Sequence, residues 1–320
     1  MSTLREDPRE YQQAILRAAA EMNVPEQVIE KDYWITQILR EIRRDHFGKF
    51  IMKGGTSLSK GYGLIQRFSE DVDLLIIPQS NPAEVSRVDE IMRAFESSAE
   101  RVTGRDARRE RAEEGVASVT LVPYDAVVTD YHLEFGPEVR IDHGVPGGPL
   151  PSEPREIGTL LGQGLIAGGS DVDEFDDLTT FSVPMLHPAR TLVEKLCVVS
   201  SIGRRIADGN PAVRSREARH FYDIWCLLDE EQSPALQHLR TIDSVQEIFG
   251  DCVEITERFY GTTPERPDGG FAECVVFTEE VVKQVRKSYE KMCDGLIFRG
   301  APRPTIDDVV ERVRSHSSEL

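Results

Sequence analysis

Residues 53–77 read KGGTSLSKGYGLIQRFSEDVDLLII, and they contain the most informative pattern of the chain. Two glycines follow a short apolar strand at 50–52, and the hydroxyl residues after them predict a turn that runs into a short helix. The apolar, β-branched run at 72–77 predicts a buried strand. Glycines between a strand and a helix let backbone N–H groups approach phosphates closely. The stretch therefore predicts a phosphate-binding turn next to a buried strand.

The acidic pair Asp71 and Asp73 stands at the start of that strand. Side chains two residues apart in a strand lie on one face, where two carboxylates repel each other unless a cation lies between them. Mg²⁺, or Mn²⁺, prefers carboxylate and phosphate oxygens, so the pair predicts a metal site facing the phosphate turn. A second such pair, Asp171 and Asp173, has no helix before it and no apolar strand after it. We interpret that pair as an acidic loop.

The order of elements around the stretch indicates the fold class. Helices precede it, a mixed sheet with few helices surrounds it, and a mainly helical half follows a Pro/Gly-rich linker at 144–154. This order predicts an α+β fold with a helical C-terminal domain. We expect three parts: N-terminal helices at 1–45, a core at 46–155 and a mainly helical domain at 156–320.

Composition excludes several classes of protein. The 320 residues contain 38 basic and 56 acidic side chains, and a net charge of −18 argues against a surface that is broadly coated by nucleic acid. A secretory signal and a membrane-spanning run are both missing from the sequence, so we expect a cytoplasmic protein with no membrane partner. The 5 cysteines have no CxxC spacing, which favours free thiols over a zinc site or a disulfide framework.

Beyond these patterns, the chain resembles the AbiEii/AbiGii family of nucleotidyltransferase toxins, which belong to the polymerase-β-like superfamily and to toxin–antitoxin and abortive-infection systems. The resemblance extends over most of residues 25–230. It is carried by the motifs KGGTSLSK at 53–60, FSEDVDL at 68–74, EKDYW at 30–34, LHPARTLVEK at 186–195 and RHFYD at 219–223.

The resemblance implies roles for individual residues. Asp71 and Asp73 would hold the metal ions, Lys195 would reach the triphosphate, and Asp223 matches the acid of the last motif. The residues expected to contact the nucleotide are Gly54, Gly55, Thr56, Ser57, Ser69 and Lys195. Two departures stand out: some relatives have Arg-Asp where this chain has Arg219-His220, and the 15 residues between Gly55 and Asp71 are a long spacing. His220 either carries a proton or only packs.

A third carboxylate often comes from a neighbouring strand in the wider fold. We choose Asp142 as a metal ligand, with Glu134 as its rival, and an ordinary surface acid is an equally good interpretation of either. Lys53 and Arg67 either neutralise phosphates or are ordinary surface charges. A basic patch that could receive RNA is expected at a set of five arginines: Arg204, Arg205, Arg214, Arg216 and Arg219.

The predicted activity is transfer of a nucleoside monophosphate from an NTP to an acceptor hydroxyl. The resemblance implies a toxin with a cognate antitoxin, and a tRNA 3′ end as the acceptor. The alternative is a phosphotransferase, or an NTP-binding regulator that acts on a protein partner. A third possibility is a non-catalytic module that binds a partner through its acidic surface.

Overall fold

The computed structural model describes residues 2–77, 85–128, 136–210, 213–241, 244–261 and 263–320. The chain forms two units. The first consists of Met1–Tyr62, Phe68–Val145 and Ser152–Met185, and the second consists of Gly63–Arg67, Pro146–Pro151 and Leu186–Leu320. The units therefore divide the chain differently from the predicted parts 1–45, 46–155 and 156–320.

A mixed sheet is the centre of the first unit, as the sequence predicted. Its strands in chain order are β1 Phe50–Lys53, β2 Asp71–Ile76, β3 Arg108–Glu113, β4 Ala117–Pro123, β5 Glu138–Gly144, β6 Ser152–Ile157 and β7 Phe181–Leu186. Across the sheet their order is β3-β4-β5-β2-β1-β7-β6. Strand β2 pairs antiparallel with β1 and parallel with β5, which puts the acidic pair near the middle of the sheet. The predicted α+β fold is confirmed.

The helices of the first unit cover the sheet. They are α1 Pro8–Met22, α2 Glu26–His46, α3 Gly54–Thr56, α4 Val85–Thr103 and α5 Leu160–Ala167. Helix α1 begins where Asp7 accepts hydrogen bonds from two backbone N–H groups and Pro8 occupies the first turn, which is a favourable N-terminus. Helix α4 covers one face of the sheet, where the ring of Phe95 packs edge-on against Phe50.

The motif at 30–34 is structural. Its Glu30 accepts hydrogen bonds from the backbone N–H groups of Val127 and Val128, at 2.6 and 3.3 Å. Asp32 forms a buried ion pair of 2.6 Å with Lys60, which follows the glycine turn closely in the chain. Buried acids need such partners, because an uncompensated charge is costly inside a protein. The segment thus fixes the loop at 127–128 and the helical turn after Gly54–Thr56.

The second unit is helical in its described residues. Its helices are α6 Pro188–Ala207, α7 Ser215–Leu227, α8 Pro234–Leu239, α9 Ser244–Tyr260, α10 Glu279–Leu296 and α11 Ile306–Ser315. Two separate helices, α8 and α9, occupy the stretch from Pro234 to Tyr260. All 5 cysteines are free thiols, and all of them are buried. Within the described part of the chain, we find no helix with the length and apolarity that crossing a membrane requires.

Candidate active site

The glycine turn lies directly against the acidic pair. Gly54 has a φ of +71°, and a Cβ atom built there would lie 2.0 Å from Oδ2 of Asp73. Only glycine fits, because any side chain would collide with the carboxylate and would also adopt an unfavourable backbone conformation. The first turn of the short helix therefore places its backbone against one carboxylate of the pair.

Hydroxyl groups attach this turn to strand β2. Thr56 Oγ1 donates a short hydrogen bond to the carbonyl oxygen of Asp71 and lies 3.0 Å from Ser69 Oγ, whose hydroxyl can donate to it. Ser57 Oγ donates to the carbonyl oxygen of Gly54 at 2.9 Å. Thr56 and Ser57 are expected to contact the nucleotide, and in the structure both hydroxyls donate to backbone carbonyl oxygens of the protein. Backbone N–H groups are the better candidates for phosphate contacts in this turn.

Three carboxylates share one face of the sheet. In the parallel pairing of β2 with β5, Asp71 lies opposite Arg140 and Asp73 lies opposite Asp142. Residues directly opposite each other point to the same face. Asp142, the chosen third carboxylate, is therefore next to Asp73. Its rival Glu134 lies outside the described residues.

Arg140 is a charged neighbour that the sequence analysis did not assign to the site. Its Nε lies 3.1 Å from Oδ1 of Asp142 and 3.8 Å from Oδ1 of Asp71. Its Nη1 also forms a short ion pair with Glu110 of strand β3. The alternation of Arg140 with Asp142 in the sequence was the one signal that could have revealed it. The guanidinium partly offsets the repulsion among the acids.

The acids fit a divalent ion whose remaining ligands come from the substrate and from water. Mg²⁺ is usually held by one or two carboxylates together with phosphate oxygens and water, and Asp71 and Asp73 supply two carboxylates. Among the described residues, the one group of three ligand atoms within 4.8 Å of one another is Glu230, His316 and Glu319 of the second unit, and Asp71, Asp73 and Asp142 do not converge as closely. There Arg240 already bonds both glutamates, which makes that cluster an ion-pair network.

In the second unit, Lys195 and Asp223 meet in a buried cluster of charges. Lys195 Nζ lies 2.6 Å from Oδ2 of Asp223. Arg67 donates to the same carboxylate through Nε and Nη2, both at 2.7 Å. Asp223 is fully buried and Arg67 is 3% exposed, so Arg67 is not the surface charge considered above. Two cations share one acid, which leaves a net positive charge beneath the surface.

Burial and these charges shift the ionisation of the cluster. Burial alone would raise the pKa of Asp223, but the charges of Arg67 and Lys195 hold it well below its ordinary value. Burial, with Lys195 adding to it, lowers the pKa of His220 to about 3. A neutral ring that binds a proton so weakly is a poor proton carrier at pH 7, which favours the packing role for His220.

Two of the five arginines of the expected basic patch are paired with acids. Arg204 pairs with Glu265 at 2.9 Å, and Arg205 pairs with Glu217 at 2.8 Å. These two arginines therefore present less free positive charge than the sequence suggested.

Comparison with known proteins identifies the class of the chain. A family model described as nucleotidyl transferase AbiEii toxin of a type IV toxin–antitoxin system matches residues 37–312. This match, over most of the chain, defines the protein as a nucleotidyltransferase. The chain belongs to the AbiEii family and is therefore a toxin component of a type IV toxin–antitoxin system.

Two further comparisons give less. No curated protein matches the sequence. Among solved structures, the chain is similar to MenT4, a nucleotidyltransferase toxin from Mycobacterium tuberculosis H37Rv, with 14% identity and a TM-score of 0.40. That alignment covers 87% of this chain and 98% of MenT4.

Proposed function

We propose that this toxin transfers a nucleoside monophosphate from an NTP to the 3′ hydroxyl of tRNA in a Mg²⁺-dependent reaction. The contact of Gly54 with Asp73 is the observation that carries the proposal. Because Gly54 has no side chain, the backbone of the turn lies against the Asp73 carboxylate, so a phosphate bound by the N–H groups of the turn would lie next to a cation held by Asp73. The acceptor oxygen attacks the α-phosphorus, and pyrophosphate leaves.

Asp71 and Asp73 would hold the metal, with Asp142 as the third carboxylate. The ion, Mg²⁺ or Mn²⁺, supplies positive charge that stabilises the entering and leaving oxygens. The three acids share one face of the sheet, and Arg140 contacts two of them, which keeps the acidic side chains together before substrate binds. Because Arg140 is also bonded to Glu110, its guanidinium is held in place from a second side.

The backbone of the turn at 54–57 would bind the polyphosphate, with Ser69 bracing that turn through Thr56. Lys195 would neutralise the triphosphate. The support for this role is charge: the buried cluster has two cations and one acid, and a buried excess charge is stabilised by an anion. Asp223 would position Lys195 rather than touch the reacting atoms.

The biological setting follows from the family. Membership of a toxin–antitoxin system implies an antitoxin partner, and we propose that both proteins act in the cytoplasm, where NTPs and tRNA are found. Modification of the tRNA 3′ end would block translation.

Labelled nucleotides test the proposal. Incubation with each α-³²P-labelled NTP, Mg²⁺ and total tRNA should move label into RNA, and Asp73→Asn should not support this transfer. A parallel incubation with γ-³²P-labelled NTPs tests the phosphotransferase alternative. Label on a protein from the γ position, with none in RNA from the α position, would overturn the nucleotidyl-transfer proposal. Replacement of Mg²⁺ by Mn²⁺ or by a chelator identifies the ion.

A further inference from the structure

Strand β3 places arginines on the same face of the sheet as the acidic pair. In the pairing of β3 with β4, Arg108 lies opposite Leu121 and Arg111 lies opposite Val119. Strand β4 in turn places Leu121 opposite Arg140 and Val119 opposite Asp142. With the pairing of β5 and β2, this produces two rows across the sheet: Asp71-Arg140-Leu121-Arg108 and Asp73-Asp142-Val119-Arg111.

Arg109, which lies between Arg108 and Arg111 in strand β3, points to the opposite face of the sheet. Arg109 pairs with Thr120 in the sheet, and its guanidinium binds Glu96 of α4 at 2.7 and 2.9 Å. The strand changes register between Arg109 and Arg111, so Glu110 is an extra residue there. Such a bulge at a sheet edge re-aims side chains, and here it directs both Glu110 and Arg111 to the face of the acids.

Arg108 and Arg111, on the face of the acidic pair, are less compensated by acids than the neighbouring arginines Arg109 and Arg140. The side chain of Arg108 is 65% exposed, and its nearest acid, Glu138, is 3.8 Å away. Arg111 is exposed and has no ion pair with any residue in the described part of the chain. Glu110, the acid between them, is already bonded to Arg140. Arg108 and Arg111 therefore offer exposed positive charge on this edge, where the acids Glu110, Glu113 and Glu138 also lie.

We propose that Arg108 and Arg111 form a binding surface for the phosphates of the RNA acceptor. This inference rests on the proposed function and adds the part of the protein surface along which the RNA acceptor lies. Strand β3 is three strands from β2, which at ~4.8 Å per strand is ~14 Å from the acidic pair. A stacked nucleic-acid strand advances ~3.4 Å per nucleotide, so this distance corresponds to about four nucleotides. An RNA whose 3′ hydroxyl lies at Asp71 and Asp73 reaches the arginines with phosphates upstream of its end.

The charge pattern favours a single-stranded polyanion. In the expected patch of the second unit, Arg204 and Arg205 are paired with Glu265 and Glu217, whereas Arg108 and Arg111 lie on the face of the sheet that carries the acidic pair. Contacts from exposed arginines to phosphates add affinity without reading sequence. The surface thus contributes to the binding of the RNA end, and not to the choice of NTP.

The test compares charge removal on the two faces of one strand. The double variant Arg108→Gln/Arg111→Gln removes charge from the site face, and Arg109→Gln is the matched control on the other face. For each protein we would measure tRNA binding at several salt concentrations, the KM for NTP, label transfer to tRNA and the urea unfolding midpoint.

The double variant should bind tRNA roughly three- to thirty-fold more weakly than wild type. Its log–log salt slope should become shallower by about 1.4, because each lost single-strand phosphate contact changes the slope by about 0.7. The KM for NTP and the unfolding midpoint should stay near wild type, and Arg109→Gln should bind tRNA as wild type does.

Two results would overturn the inference in distinguishable ways. If wild type labels tRNA but the double variant has the affinity and salt slope of Arg109→Gln, strand β3 is not the acceptor surface and the proposed function stands. If wild type neither binds nor labels tRNA, the proposed function fails and this inference fails with it. If the double variant unfolds early, the single variants Arg108→Gln and Arg111→Gln replace it, and each should make the salt slope shallower by about 0.7; slopes equal to that of wild type would overturn the inference.

Discussion

Substitution of Gly54 by alanine tests the contact on which the active site depends. The added Cβ would start 2.0 Å from Oδ2 of Asp73, whereas real Cβ contacts are not shorter than 3.0 Å. Either the turn or the carboxylate must therefore move by about 1 Å. The positive φ of Gly54 adds a backbone penalty that is unrelated to the contact.

A second glycine separates these two effects. Gly63 has a φ of +64°, and a Cβ there would meet nothing within 4 Å. Alanine at either position should cost about 1–2 kcal/mol of the free energy of unfolding, because both adopt the left-handed conformation. Only Gly54→Ala should also displace the carboxylate, and a misplacement of about 1 Å at a reacting centre lowers the rate on the order of 100-fold. That factor corresponds to about 2.7 kcal/mol of activation free energy.

Single-turnover transfer from an α-³²P-labelled NTP to tRNA, at saturating Mg²⁺, gives the rate for each variant. Urea denaturation of the same samples gives the free energy of unfolding. We expect similar losses of stability in the two variants and a loss of rate in Gly54→Ala alone. If the rate of Gly54→Ala is within about threefold of the rate of Gly63→Ala, the turn does not position Asp73 for the reaction.

Further predictions concern the charged groups. Asp71→Asn and Asp73→Asn should each lower transfer by roughly 100-fold or more, because charge stabilisation by a bound metal is worth several kcal/mol, while the urea midpoint is retained; wild-type rates in either variant would contradict the site. Asp223→Asn should cost about 3–5 kcal/mol of unfolding free energy, since Arg67 and Lys195 would stay buried without a counter-charge, and an unchanged denaturation curve would refute this. Burial lowers the pKa of His143 from 6.5 to about 4. Below pH 6.5 the unfolded chain therefore binds a proton that the folded chain does not, and stability should fall by up to about 3 kcal/mol between pH 6.5 and 4. His143→Gln should flatten that part of the pH profile measured by urea titration, and a profile that still falls as in wild type would assign the loss to other groups.

Local patterns made part of this site predictable from sequence. The glycine turn, the strand and the shared face of Asp71 and Asp73 all follow from residues close together in the chain. The same reasoning distinguished Asp171 and Asp173 from the predicted metal site, because no apolar strand follows to order them. In the structure, Asp171 accepts a hydrogen bond from the backbone N–H of Asp173 at 2.9 Å, outside any helix or strand.

Pairings between distant residues could not be predicted in the same way. Arg67 and Asp223 are 156 residues apart, and no periodicity connects an arginine in one loop with an aspartate in one helix. The ion pair of Arg140 with Glu110 depends on a bulge at the sheet edge, which a pattern of alternating residues does not reveal. The hydroxyls of Thr56 and Ser57 show the reverse case. Their residue type suggested contacts with a ligand, but in the structure both hydroxyls donate hydrogen bonds to backbone carbonyl oxygens of the protein.

The strand order has a consequence for synthesis on the ribosome. Strand β7 lies between β1 and β6 in the sheet, yet it is made after both of them. A nascent chain that ends at residue 157 already contains every carboxylate assigned to the metal, but its β1 edge is open and β6 has no neighbour to join. Open edges invite association with other chains, so an incomplete translation product should aggregate instead of becoming a working toxin.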